Sequence, residues 1–133
     1  MKTVMVKTVA LITQSRVEDV LCGAFEGGSN YWAVTGVTTE QMEKANATFP
    51  FEVATRGGEI KVFDAENPKI LLGVINAERI EKALQLMSEG KNEKGEDAPY
   101  LARHLNDIIK EDDDACTSDV FLQMAVMGEI VFG

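Results

Sequence analysis

Few residues in this chain have the type and spacing for chemistry. His104 is the single histidine, three residues before Asp107 and seven before Glu111. On a helix that spacing puts an imidazole and two carboxylates on one face. Such a set could hold a divalent ion if a further carboxylate approached. A three-residue match of this kind arises readily in an acidic helix, so no physiological metal is expected. Cys22 and Cys116 both fall in apolar stretches that read as helices, where a free thiol acts as a small hydrophobe. No Cys–His or Ser–His dyad is expected, and no catalytic residue is assigned. Asp112, Asp113 and Asp114 match a calcium loop in charge only, because the alternating ligands, the turn glycine and the closing glutamate are missing. The pairs Gly27-Gly28 and Gly57-Gly58 lack both the Gly-Lys-Ser/Thr of a phosphate loop and the dinucleotide fingerprint. They read as helix caps and turns, and no cofactor is expected.

The elements that would position these residues follow from periodicity. Residues 3–13 are rich in valine and β-branched and read as a strand. Ser15 and Glu18 have capping-box spacing, and Val17, Val20, Leu21, Ala24 and Phe25 then make one apolar helical face. Gly27-Gly28 should end that helix through a left-handed cap. Residues 31–37 read as a strand, and alternation turns one of Tyr31 and Trp32 inward. Trp32 is expected as a core anchor. Thr38 and Gln41 can cap a short helix to about Ala45. Pro50 can open a helical turn over residues 51–55, stopped by Gly57-Gly58, although an extended reading fits nearly as well.

Residues 59–64 and 69–73 read as two strands joined at Asn67-Pro68. Asn76 is an N-cap for a helix whose face is Ala77, Ile80, Ala83, Leu84 and Met87, stopped by Gly90. After a polar loop over residues 91–96, Asp97 and Pro99 open a helix with Leu101, Leu105, Ile108 and Ile109 inward. The last helix, residues 116–127, is apolar nearly all round and should be buried on most sides. Residues 129–132 read as a closing strand. Strands and helices do not alternate regularly, which argues against a doubly wound fold. The expectation is one α+β domain over residues 1–133, with a mainly antiparallel sheet of four to five strands packed against about five helices.

Charge narrows the partners. The chain has 133 residues and a net charge of −9. Residues 89–119 hold ten acids and four bases, so two-thirds of the excess lies in that stretch. A negative field repels phosphate backbones, which argues against sequence-independent nucleic-acid binding. It suits a basic protein partner, or serves as a solvated face. No apolar run reaches the roughly 18 residues of a membrane helix. The start of the chain lacks the continuous apolar core of a secretory signal. Two cysteines make no disulfide framework.

Three stretches carry a resemblance: AFEGGSNYW at residues 24–32, RGGEIKVFDAE at 56–66 and DVFLQMAVMGEIVFG at 119–133. The pattern resembles a group of small phage- and prophage-encoded proteins of unknown function. It extends over most of the chain, with residues 33–48 and 91–96 as variable parts. The resemblance implies a phage context in a bacterial host, hence a cytoplasmic location, and no mechanism. Candidate binding residues are Glu26, Tyr31, Trp32, Arg56, Asp112, Asp113 and Asp114. The reading is a non-enzymatic protein-interaction module, with self-association open. The alternative is a small-ligand binder or enzyme with a site built from loops. We expect no shift of random duplex DNA by micromolar protein at physiological salt. A salt-sensitive gel shift would refute that reading of the charge.

Overall fold

The computed structural model describes residues 1–4, 6 and 9–133; Met5, Lys7 and Thr8 lie outside the described residues. Three antiparallel strands form the sheet: β1 (Ala33–Gly36), β2 (Ile60–Asp64) and β3 (Leu71–Ile75), in the order β1-β2-β3. Ala33 pairs with Asp64 and Gly36 with Lys61, while Ile60 pairs with Ile75 across the other ladder. The helices are α1 (Gln14–Gly23), α2 (Thr39–Lys44), α3 (Ala77–Glu89), α4 (Tyr100–Ile109) and α5 (Ala115–Met127). A π-helical turn (Ala24–Gly28) extends α1, and two 3₁₀ turns (Pro50–Glu52 and Ala54–Arg56) precede β2. The architecture is therefore α+β. Among the described residues no helix is long and apolar enough to cross a membrane.

Caps explain most of the boundaries. Thr38, Asn76 and Asp114 each accept a hydrogen bond from the backbone N–H three residues on, which satisfies a first-turn donor of α2, α3 and α5. Gly90 and Gly128 close α3 and α5 in the left-handed region. The expected Ser15–Glu18 capping box does not form. Thr13 Oγ1 accepts from the Arg16 N–H instead, and Glu18 turns into the core. The helix also ends differently from expectation: Gly27 is extended, and Gly28 serves close approach. A Cβ on Gly28 would stand 2.8 Å from the Ala115 carbonyl oxygen. The 50–55 segment takes the helical alternative.

Two expected strands are missing. None of the described residues among 3–13 is in a strand, and Val4, Val6, Val9 and Leu11 are exposed. Residues 129–132 do not join the sheet either. The peptide N–H groups of Val131 and Phe132 donate to the Gln123 side-chain carbonyl at 2.8 and 2.9 Å. A buried glutamine thus provides what a neighbouring strand would have provided. Ile130 and Phe132 still pack against the core, while Val131 is exposed. β3 starts two residues later than the sequence implied, because Ile70 N–H closes a turn onto the Asn67 carbonyl.

The core gathers on α5, where Val120, Phe121, Leu122, Met124, Ala125 and Val126 are all buried. Around it lie Leu21 of α1, Trp32, Ile60 and Ile75 of the sheet side, Met87 of α3, and Leu101 and Ile108 of α4. Leu84, expected in the core, is only half-buried because it stands at the lip of a groove between α3 and α4. Phe121→Ala should therefore destabilise the fold by about 3–5 kcal/mol, and Leu84→Ala by less than about 2 kcal/mol. Urea unfolding of the two variants checks the ranking.

Candidate functional site

Asp119, one turn into α5, collects four donors. Its Oδ1 accepts from Ser29 Oγ at 2.8 Å and from Trp32 Nε1 at 2.6 Å. Its Oδ2 accepts from the Tyr31 hydroxyl at 2.5 Å and from Gln123 Nε2 at 3.2 Å. Three of the donors come from the segment between the π-turn and β1. That segment reaches α5 because Gly23 and Gly28 lack side chains: a Cβ on Gly23 would meet Ser118 Oγ at 2.6 Å. Bonds to an ionised acceptor are the strong kind. Gln123, one helical turn beyond, passes the network on. Its Nε2 donates to the Phe132 carbonyl at 3.2 Å, and the Phe132 ring stacks on Trp32 with centroids 5.1 Å apart. Partial burial and the Asp119 carboxylate push the Tyr31 phenol up to about 12.

This network floors an open cleft of about 510 Å³ that also exposes Tyr100, His104 and Cys116. His104 Nδ1 is 2.9 Å from Thr117 Oγ1, and its ring meets Tyr100 edge-on. Cys116 is exposed, contrary to expectation, because it sits in the first turn of α5 before the helix enters the core. Cys22 is half-buried, and burial together with Glu26 and Asp19 pushes its thiol up, away from reactivity.

The other residues singled out in the sequence lie apart. Trp32 is buried and Tyr31 exposed, but both lie in a turn that closes onto the Ser29 carbonyl, and the strand starts at Ala33 rather than at residue 31 as expected. Glu26 is exposed on the π-turn. Arg56 pairs with Glu18 at 3.0 Å and with Glu52 at 2.9 Å. Thr55 Oγ1 donates to the same Glu18 carboxylate at 2.5 Å. Burial opposes the Glu18 charge, but the Arg56 and Thr55 hydrogen bonds outweigh it, and the carboxyl lies below its usual range. Asp113 pairs with Arg16, Asp114 caps α5, and Asp112 is exposed. The acidic run is thus a tether and a cap followed into a helix, rather than one continuous charged face.

The expected His104–Asp107–Glu111 face does not exist. α4 ends at Ile109, and Glu111 takes a left-handed φ of 58°, which swings it off the helical repeat. Among the described residues no three His, Cys, Asp or Glu side chains are placed to hold a metal ion. Sequence reasoning missed Asp119 and Gln123 as a pair. The signal was present: they stand four residues apart in a helix that is otherwise apolar from Val120 to Met127.

Comparison with family models, curated proteins and solved structures gives no match.

The raised Tyr31 ionisation has a definite sign. Its folded value lies above its unfolded value of 10, so its contribution to stability is intact below pH 10 and is lost between about 10 and 12. Alkaline titration followed by tyrosinate absorbance should show a step near 12 that is missing in Tyr31→Phe. In Asp119→Asn that step should move down, while burial, the larger cause, holds it above the ordinary value. Asp119→Ala should cost about 2–4 kcal/mol, since it orphans the buried Trp32 and Ser29 donors.

Proposed function

We propose that this chain is a non-enzymatic protein-interaction module of a phage or prophage, acting in the cytoplasm of a bacterial host. The observation that carries this reading is the segment ahead of α1. Val4, Val6, Val9 and Leu11 are 63–93% exposed, so four large apolar side chains add nothing to the core behind them. Leaving such side chains in water forgoes roughly 1.5–3 kcal/mol each. A binding partner that covers them recovers that energy.

The state of the polar groups supports the same reading. Asp119, Glu18, Asp113, Asp114 and His104 each have a structural partner inside the fold. The rest of the surface is strongly acidic and suits a partner of basic character. The phage context rests on the resemblance of the three sequence stretches.

The test is affinity capture from a bacterial host, with and without nuclease, using the full chain and a chain lacking residues 2–11 as baits. A protein retained through nuclease treatment by the full chain, and lost with the shortened bait, is the expected result. Capture that nuclease abolishes, or that is equal for both baits, would overturn the reading.

A further inference from the structure

The sheet is open at β1. In the order β1-β2-β3 this strand has a neighbour on one side, and among the described residues no other strand pairs with it. The phase of the ladder says which peptide groups are left over. Ala65 N–H donates to the Trp32 carbonyl at 2.8 Å. Trp32, Val34 and Gly36 therefore turn their peptide groups toward β2, and Ala33 and Thr35 turn theirs away. The Ser29 carbonyl takes the Ala33 N–H at 2.9 Å. The Ala33 carbonyl and both the N–H and the carbonyl of Thr35 face outward. Edges of this kind are normally blunted by charge, proline or a bulge. On the opposite edge the β2–β3 register shifts, leaving Leu72 as an extra residue in β3. β1 has no such guard: its register is regular, and residues 27–39 hold neither a proline nor a charged side chain.

The side chains around this edge are arranged for one more strand. A hollow of about 340 Å³ runs along it, with Ala33 and Thr35 on one wall, Phe25 and Asn30 on the other, and the buried Leu122 of α5 in its lining. The helical layer thus extends past the sheet, and the hollow lies where an inward side chain of a fourth strand would go. On the other face Val34, Phe63 and Leu71 stand opposite one another in a cross-strand row. Val34 and Leu71 are 43% and 48% exposed, and the Phe63 ring reaches over Gly36, where a Cβ would stand 3.0 Å from it. A fourth strand would continue that row and cover Val34.

These features define the occupant. It has extended backbone, an apolar side chain for the uncharged hollow, and apolar neighbours on either side of that residue to lie beside Val34. The exposed acids Glu26 and Glu40 bracket the uncharged run and favour basic residues at the ends of the segment. A second β1 does not fit. Its inward residues, Ala33 and Thr35, are too short for the hollow, and its own overhang of Phe25 and Asn30 would meet the first. A single extended segment carries no such layer.

We infer that β1 accepts an extended, apolar segment of a partner protein as a fourth strand, with one side chain seated in the hollow. The inference rests on the reading of this chain as an interaction module and adds to it a second site and the chemistry of its ligand.

The probe is a random heptapeptide library displayed on phage and selected on the immobilised full chain. Selected sequences should be apolar at the centre and basic at the ends. Synthetic copies should protect the Thr35 amide from hydrogen exchange, read by NMR. Thr35→Pro removes an outward N–H, a change that an edge strand tolerates, and should weaken these peptides by about tenfold or more. Asn30→Arg, at an exposed position on the wall of the hollow, should do the same by filling it, and keeps the test readable should Thr35→Pro fail to fold. A library that yields no binder would overturn the inference. So would peptides that leave the Thr35 amide unprotected, or that bind both variants like the parent. Host-protein capture that depends on residues 2–11, alongside such a failure, would sink the fourth strand and leave the interaction-module reading standing. Peptides seated on β1 by a chain that captures no host protein would do the reverse.

Discussion

The fold turns on one carboxylate. Asp119 holds four donors from three parts of the chain: the π-turn exit at Ser29, the approach to β1 at Tyr31 and Trp32, and α5 itself at Gln123. Hydrogen bonds to a charged acceptor are the strong kind, and the joint stands at the floor of an open cleft. Gln123 then converts its place in that network into a clamp on residues 131 and 132. The stacking of Phe132 on Trp32 finishes the seal. The central helix, the approach to the first strand and the end of the chain therefore share a single polar joint. A half-satisfied joint there would be worse than none, and among the described residues no buried side-chain polar atom lacks a partner.

A second joint works the same way on the other side of α1. Glu18 is buried and would resist ionisation by itself. Arg56 and Thr55 supply the hydrogen bonds that keep it charged, and Glu52 takes the remaining reach of the guanidinium. Glu52 also accepts from the N–H groups of Thr48 and Phe49, which tightens the 3₁₀ turns ahead of β2. Arg16, two residues earlier in α1, does comparable work by reaching the Ile108 carbonyl and Asp113. These three links tie α1 to the loop before β2 and to the start of α5. Residues with the look of a functional site are here the fasteners of an α+β body.

What remains outward is largely charge, with Val4, Val6, Val9 and Leu11 exposed ahead of α1. An acidic body resists non-specific association with nucleic acid and with other acidic surfaces. Exposed Val9, ahead of α1, lines a groove together with Leu84 and Ile109.

Local sequence patterns determined the existence of the helices, several of their caps and the approximate places of the three strands, because those depend on neighbours a few residues apart. Asn76, Thr38, Gly90 and Gly128 act where their chemistry implied. The burial of the last helix also followed from its composition alone. Only the tertiary structure decided the fate of residues 3–13 and 129–132. Both have strand composition, but a strand needs a partner edge, and an edge is a long-range property. For residues 131 and 132 the Gln123 amide took the edge's place, and the described part of the first segment found none. For the same reason Glu18 reads from sequence as a helix cap, and Asp119 and Gln123 escaped notice. A buried polar side chain is interpretable only through the groups that satisfy it, and here those groups lie up to ninety residues away in the chain.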